Sequence, residues 1–345
     1  MSRYRGFRIG GLSPAGALIR VRGFVCHSLS DDLSGCTMTD LPVPIAGIGE
    51  VLVGVKATSV NFPDILMCQG KYQYKPDLPF VPGIDVAGVI VGLGDEVTDW
   101  SIGDEIVGSA RFGGFAEYAI LGADNVQRKP YNLNWEQTAA YPTAYLTAYV
   151  ALICRANLQA GETLVVHGAS GGVGLAACDL GRHLGAQVIA TSASDAKLTV
   201  LNQLGFHKTI NVTNGFKDNV KDLTNGRGAD VIFEPVGGNV FDESLRCIAF
   251  NGRLLTIGFT SGRIPTLPVN LALIKGISLM GVRAGEYGRQ FPMRGRDNIE
   301  SIHKLISSGA LNPHVGATFG LEETRLAFTA LTSRQIIGKA VIVTG

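Results

Sequence analysis

The chain has 345 residues, 46% hydrophobic and 17% charged, enough for about two domains with sizeable cores and too apolar to be disordered. Its formal net charge of +1 leaves no built-in attraction for a polyanion, so nucleic acid is not an expected partner. Six scattered cysteines, none at C-x-x-C spacing or in a Cys/His cluster, argue against a zinc lobe or a disulfide scaffold as a sequence reading and fit a reducing compartment.

In chain order, residues 1–19 read as an N-terminal extension. Arg3, Arg5, Arg8, Arg20 and Arg22 precede the first acid, Asp31. That is the composition of a mitochondrial presequence, but Gly10, Gly11 and Pro14 break an amphipathic helix early. A cytoplasmic location is expected, with a mitochondrial one as the alternative. From Ile19 to about Val126 the signals are short strands and turns: "IRVRGFVC", the alternating "GEVLVGVKATSVN", "DVAGVIVGLGDEV", "GDEIVGS" and "GGFAEYAIL". They predict a compact β-rich barrel. Residues 137–154 carry no charge, yet Gln137, Pro142, Thr143 and Thr147 suit a buried helix start and not a membrane span. From about Tyr145 strands and helices alternate for about 140 residues, which predicts a doubly wound parallel sheet. After Asp297 come a helix, "NIESIHKLISSGAL", and a last strand, "GKAVIVTG".

Within the first strand–helix unit stands Gly168-Ala-Ser170-Gly171-Gly172-Val173-Gly174. Glycines there let the backbone approach a pyrophosphate, whose charge the helix N-terminus stabilises. The next strand, "QVIAT", ends at Ser192 with Lys197 beyond it, and not at an acid that would accept from the ribose of NAD. A hydroxyl does not repel a 2′-phosphate and a lysine pairs with one, so NADPH is the expected cofactor. The competing reading makes Ser192 a turn residue, Asp195 the ribose ligand and Lys197 a solvated helix residue.

With those landmarks the chain resembles the zinc-free branch of the medium-chain dehydrogenase/reductase superfamily, the NADPH:quinone oxidoreductase type. The resemblance runs from about Arg20 to Gly345. It rests on "VNFPDILMCQGKYQYKPDLPFVPGIDVAG", "YLTAY", "GASGGVGLAA", "FEPVGG", "GRLLTIGFTSG" and "GKAVIV", in this order and spacing. The first of these stretches looks most like the quinone oxidoreductase-like subgroup, which acrylyl-CoA-type reductases also resemble. The resemblance implies an α/β fold: a Rossmann doubly wound parallel sheet over residues 146–285, plus a β-rich GroES-like catalytic domain made of residues 20–145 and 286–345. The cleft between them would take NADPH, and relatives are usually homodimers. The apolar "LPVNLALIKGISLMGV" strand region is the candidate shared edge.

Zinc members carry a cysteine about where Val60-Asn61 stands, a Gly-His-Glu where this chain has Gly83-Ile84-Asp85, and a four-cysteine lobe. No metal is therefore expected in the reaction, and the acceptor must already be electron-poor. A quinone is the first expectation. The second is the C=C bond of an enoyl thioester or another conjugated carbonyl compound, and the third is an NADPH-binding protein without useful turnover. By motif, Asn61, Asp64 and Tyr72 fall near the nicotinamide. Asn61 and Tyr72 would donate to a substrate oxygen, and Asp64 would orient a neighbour. Turn chemistry before Pro63 and aromatic packing are the plainer readings of the three. Thr147 matches the cofactor-facing threonine, Ser192 and Lys197 the 2′-phosphate positions, Phe259 the main-chain contact to the nicotinamide, and Arg334 an arginine near the phosphates. The chain departs from its relatives at Ile210-Asn211-Val212, where a tyrosine is common, at Leu66, and at Glu234 for an aspartate. Arg283, Arg289, Arg294 and Arg296 crowd a loop-like stretch, read as solvated surface, with a clamp for CoA phosphates as the alternative.

Overall fold

A computed structural model describes residues 20–345 and the two-residue strand Arg8–Ile9, which pairs with Pro44–Ile45. The rest of the Arg-rich extension lies outside the described residues. Two units divide the chain: residues 1–143 with 315–345, and residues 144–314.

In the first unit, β1 (Arg20–Cys26) and β2 (Cys36–Pro42) form an antiparallel hairpin. β3 (Glu50–Ser59) buries Val51, Val53, Val55 and Ala57, the alternation expected of a half-buried strand. α1 (Phe62–Cys68) follows, then β4 (Asp85–Leu93), β5 (Glu105–Ser109), β6 (Tyr118–Gly122), β7 (Val126–Arg128) and α2 (Trp135–Ala140). The uncharged run breaks at Pro142, the first residue of α3 (Pro142–Tyr149), and continues as wider π-type turns over Val150–Arg155. Among the described residues no helix is long and apolar enough to cross a membrane.

The second unit is strictly alternating: β8 (Thr163–Val166), α4 (Gly172–His183), β9 (Gln187–Ser192), α5 (Asp195–Gln203), β10 (Thr209–Asn211), α6 (Lys217–Leu223), β11 (Ala229–Glu234), α7 (Gly238–Cys247), β12 (Ile248–Thr256), α8 (Val269–Lys275) and β13 (Ser278–Gly281). The six strands are parallel, in the order β10-β9-β8-β11-β12-β13. This is the doubly wound order, with its topological switch between β8 and β11. Leu164, Val165, Val166, Val231, Ile232 and Phe233 are fully enclosed, as strands covered on both faces require.

Two expectations need correction here. The apolar stretch before Gly281 is not one strand. Pro268 starts the short helix α8 and Gly276, at φ +60°, ends it, leaving β13 only four residues at the sheet edge. The return to the first unit comes at Val315 and not at residue 286. α9 (Ala284–Gln290) and α10 (Pro292–Ser307) stay with the second unit: Cys154 Sγ lies 3.6 Å from Asn298 Oδ1, and Asn312 N–H donates to Asp179 Oδ2 on α4 at 2.8 Å. Helical periodicity marks the later part of α10 but says nothing about which sheet it joins. The chain then adds β14 (Val315–Gly320), α11 (Thr324–Thr332) and β15 (Lys339–Val343) to the first unit, whose main sheet runs β14-β15-β3-β4-β5-β7, with β6 also on β3.

Candidate active site

The glycine cradle sits at the carboxyl end of β8. Gly168 turns the chain at φ +60°, and Gly171 N–H closes the turn on Gly168 O at 2.9 Å. Gly171 then caps α4 in extended conformation, so the first-turn N–H groups of Gly172, Val173 and Gly174 emerge together at a helix N-terminus, beside buried Ser170. The glycines are not equivalent. A Cβ at Gly174 would stand 2.3 Å from Gly168 O, so only glycine lets the helix lie this close to the turn. A Cβ at Gly171 would meet only Gly168 O, at 3.4 Å, and φ there is −83°, open to any residue. The fold does not need glycine at 171, but a side chain there would fill the cradle. The donors and the open space fit a pyrophosphate.

Beneath the cradle, His167 is buried between two hydroxyls, Thr191 Oγ1 at 2.9 Å from Nδ1 and Ser244 Oγ at 3.0 Å from Nε2. Ser244 spends its hydrogen on Val240 O, so Nε2 is the donor and Nδ1 accepts from Thr191. Burial pushes the His167 pKa down to about 3, keeping the ring neutral while it ties β8 to β9 and α7.

Ser192 ends β9, is buried, and its Oγ accepts Ser194 N–H at 3.3 Å. Lys197 is half-buried on α5, and Asp195 at the start of that helix accepts from Asn211 Nδ2 at 2.6 Å. At the end of β11, buried Glu234 accepts the N–H groups of Val236 and Gly237 at 2.7 and 2.8 Å and so shapes the next turn. Gly237, at φ +72°, lies against Phe259, whose Cδ1 would be 3.2 Å from a Cβ there. Parallel pairing thus brings the cradle, Ser192 and Phe259 to one edge of the sheet, the carboxyl edge where doubly wound sheets take ligands. Thr147 is half-buried on α3. Arg334 is an exposed residue of the other unit, at φ +58° just after α11. The arginine stretch is helical, not a loop. All four arginines are exposed, Arg289 and Arg283 reach Glu286 at 3.0 and 3.9 Å, and Arg294 lies 5.5 Å over the Phe291 ring.

In the first unit, Asn61 and Asp64 join a buried polar core. Asp64 Oδ2 accepts Asn61 N–H at 2.7 Å and Oδ1 accepts Gly83 N–H at 3.2 Å, which fixes the start of α1 against the loop before β4. The Asn61 side chain bridges a cation and an anion: Oδ1 accepts from Lys339 Nζ at 2.6 Å, and Nδ2 donates to Asp85 Oδ2 at 2.9 Å. Asp85 also accepts from Ser59, Ser109 and Thr143, at 2.9, 2.9 and 2.7 Å, and Lys339 donates to Val60 O at 3.0 Å. Burial pulls the Lys339 pKa down, and the charges of Asp85 and Asp64 oppose it. Burial also raises Asp64, to about 7, against the Asn61 N–H bond. Tyr72 is half-buried just past α1, and its hydroxyl makes no hydrogen bond among the described residues. Sequence reasoning missed Lys339, Asp85, Ser59, Ser109 and Thr143. A signal existed for two of them: a lone charge inside an apolar strand, as in "GKAVIV" and "GIDVAGV", has to be paired if it is buried.

This donor set does not suit a catalytic zinc ion. It offers an amide, an ammonium and a carboxylate whose oxygens already hold four donors, and no thiolate or imidazole.

Two family models match the chain: "Alcohol dehydrogenase GroES-like domain" over residues 47–131 and "Zinc-binding dehydrogenase" over residues 172–302. A Nematostella vectensis protein named quinone oxidoreductase-like protein 2 homolog is 41% identical over 302 residues, 86% of this chain and 82% of that one. Among solved structures, a probable oxidoreductase from Mycobacterium abscessus is 33% identical with a TM-score of 0.85, covering 95% of this chain and 100% of that one. A mycobacterial protein solved in complex with NADPH is 26% identical with a TM-score of 0.85, covering 93% and 99%.

Proposed function

Because the chain belongs to the medium-chain dehydrogenase/reductase family of oxidoreductases, we propose that it reduces quinones with NADPH and without a metal. The observation that carries this reading is the Lys339–Asn61–Asp85 core, which fills with an organic ion network the place where a metal would polarise an alcohol or ketone oxygen. A reaction without that polarisation needs an acceptor that is electron-poor on its own, and a quinone meets the condition. The names of the relatives agree with it.

When bound, the nicotinamide supplies the hydride. The cradle of Gly168, Ser170, Gly171, Gly172, Val173 and Gly174 holds the pyrophosphate. Ser192 and Lys197 take the 2′-phosphate, since no acid at the end of β9 repels it and Asp195 is turned to Asn211. Thr147 and Phe259 orient the ring, and Arg334 contributes charge near the phosphates. Tyr72, with its uncommitted hydroxyl, donates to the substrate oxygen. Asn61 is 4% exposed and its amide is committed to Lys339 and Asp85, so Asn61 and Asp64 position the start of α1 and do not touch substrate. The protein acts as a homodimer joined through the exposed apolar edge at α8 and β13.

The test is NADPH oxidation by the purified chain with an ortho-quinone and a short enoyl-CoA side by side. Fast turnover of the quinone alone is the expected result. Turnover of the enoyl-CoA alone would reassign the protein as an enoyl thioester reductase and turn attention to the exposed arginines of α9 and α10. Tight NADPH binding without either turnover would make it a cofactor-binding protein.

A further inference from the structure

The proposed reaction leaves the thiols unused, and three of them meet. The Sγ atoms of Cys26, Cys36 and Cys68 lie within 4.8 Å of one another, and each residue is fully enclosed. Their meeting is built by three elements. Cys26 ends β1 and Cys36 begins β2, and they are register partners. The N–H and C=O of Cys26 both bond to Phe80, so the two cysteines form a non-hydrogen-bonded pair, the kind with the closer side chains. Cys68 is the last residue of α1. The intervening loop is pinned to the same places: Ser30 N–H donates to Cys68 O at 3.2 Å, Gln69 Nε2 to Asp31 O at 2.8 Å, and Arg325 to Leu33 O at 2.8 Å and to Cys36 O. The sulfurs are therefore held in place before any ligand arrives.

We propose that Cys26, Cys36 and Cys68 form a three-thiolate site for a soft d10 cation, zinc or copper(I), apart from the catalytic centre. Metal–sulfur bonds of about 2.3 Å place three sulfurs around one ion about 4.0 Å apart, so a triangle with sides under 4.8 Å needs a contraction of less than about 1 Å. Thiolates select soft ions, and the group includes no carboxylate or imidazole that would favour a hard one. Copper(I) accepts three sulfurs alone, whereas zinc would recruit a fourth ligand.

The protonation of the group agrees with this. Hydrogen bonds from the Cys68 and Cys26 thiols, with the nearby Arg325 charge, bring Cys36 down to about 7. Burial pushes Cys26 up to about 12, and Cys68 is raised further by its bond to Cys36 and by burial. Binding breaks two or three S–H bonds, forms three metal–sulfur bonds and releases the protons to solvent, with no change of oxidation state. The Arg325 guanidinium offsets the single negative charge left on a zinc trithiolate. The site ties Cys68, the last residue of α1, to β1 and β2, so the ion supports the fold and takes no part in hydride transfer.

The test uses the full chain, reduced and stripped of metal. Cadmium is titrated in as a spectroscopic probe, then zinc and copper(I) in competition with a chromophoric chelator, which ranks the two. Expected are one ion per chain, an ultraviolet thiolate-to-cadmium band, and release of about two to three protons per ion near neutral pH. The half-exposed Cys154 is the control, and Cys154→Ser should keep the band while Cys36→Ser and Cys68→Ser lose it. Absence of the band in the unaltered chain, or its survival in both latter variants, overturns the proposal. If those variants do not fold, pulsed alkylation of the unaltered chain decides. Bound metal should slow labelling of Cys26, Cys36 and Cys68 but not of Cys178 or Cys247, and equal rates with and without metal overturn the site.

Discussion

At the scale of single residues, three side chains carry sharp consequences. Lys339 is a buried cation linked through the Asn61 side-chain amide to the buried Asp85 carboxylate. Lys339→Met removes the charge and leaves Asn61 Oδ1 without its donor. A loss of about 3–5 kcal/mol in urea unfolding is expected, because one partner of a buried ionic group is deleted while the others stay. His167 couples stability to pH. Its folded pKa, about 3, lies below the 6.5 of the free ring, so its contribution is complete above 6.5 and is lost as the pH falls from 6.5 toward 3. In that window the unfolded chain binds the extra proton, and stability should drop by about 1.4 kcal/mol per pH unit from this group. In the His167→Gln variant the pH slope of unfolding should be smaller by one proton, and an unchanged slope would show that another group titrates. Lys197 bears on cofactor choice. Lys197→Ala should weaken NADPH by about 10- to 100-fold, the worth of a charge-assisted bond, and leave NADH nearly unchanged. Equal loss for both would remove its 2′-phosphate role.

At the scale of elements, the turn from β8 into α4 separates what folding needs from what binding needs. Gly174→Ala sets a methyl 2.3 Å from Gly168 O, so the helix must lift, and both melting temperature and cofactor binding should fall. At Gly171 the Cβ of a Gly171→Val variant is only in van der Waals contact with Gly168 O, at 3.4 Å, and the side chain occupies the cradle, so the melting temperature should change far less than in Gly174→Ala while dinucleotide binding disappears. Calorimetry of the two variants side by side checks this, and full cofactor affinity in Gly171→Val would mean that the pyrophosphate lies elsewhere. The strand and helix periods made both elements legible in the sequence, since "ETLVVHGA" is a continuous apolar run and "GGVGLAACDLGRHLG" repeats at helical spacing. They did not tell the two glycines apart, because that difference is a distance to a carbonyl across the turn. The α8–β13 segment shows the opposite failure. An apolar run read as one strand is a seven-residue helix followed by a four-residue strand, with Gly276 at φ +60° between them.

For the whole molecule, the exposed edge of the second unit is the feature to explain. Val269, Leu273 and Ile274 are 78%, 83% and 68% exposed, beside edge strand β13 with Leu279 at 45%. An apolar, unpaired edge of this kind is a surface for a second chain. Light scattering should give a dimer, and Leu273→Asp combined with Leu279→Lys should shift it to monomer. A monomer in the unaltered chain would remove the homodimer. By itself the sequence determined the order and type of most elements, the doubly wound class of the central region and the glycine turn. These depend on residues close together in the chain, whose spacing mirrors backbone geometry. Only the tertiary structure decided that Asn61 answers to Lys339, 278 positions away, that Asp85 gathers donors from three segments, and that Cys26, Cys36 and Cys68 share one place. Such partners are set by strand order and register, which bring distant residues together without leaving any periodic mark in the local sequence.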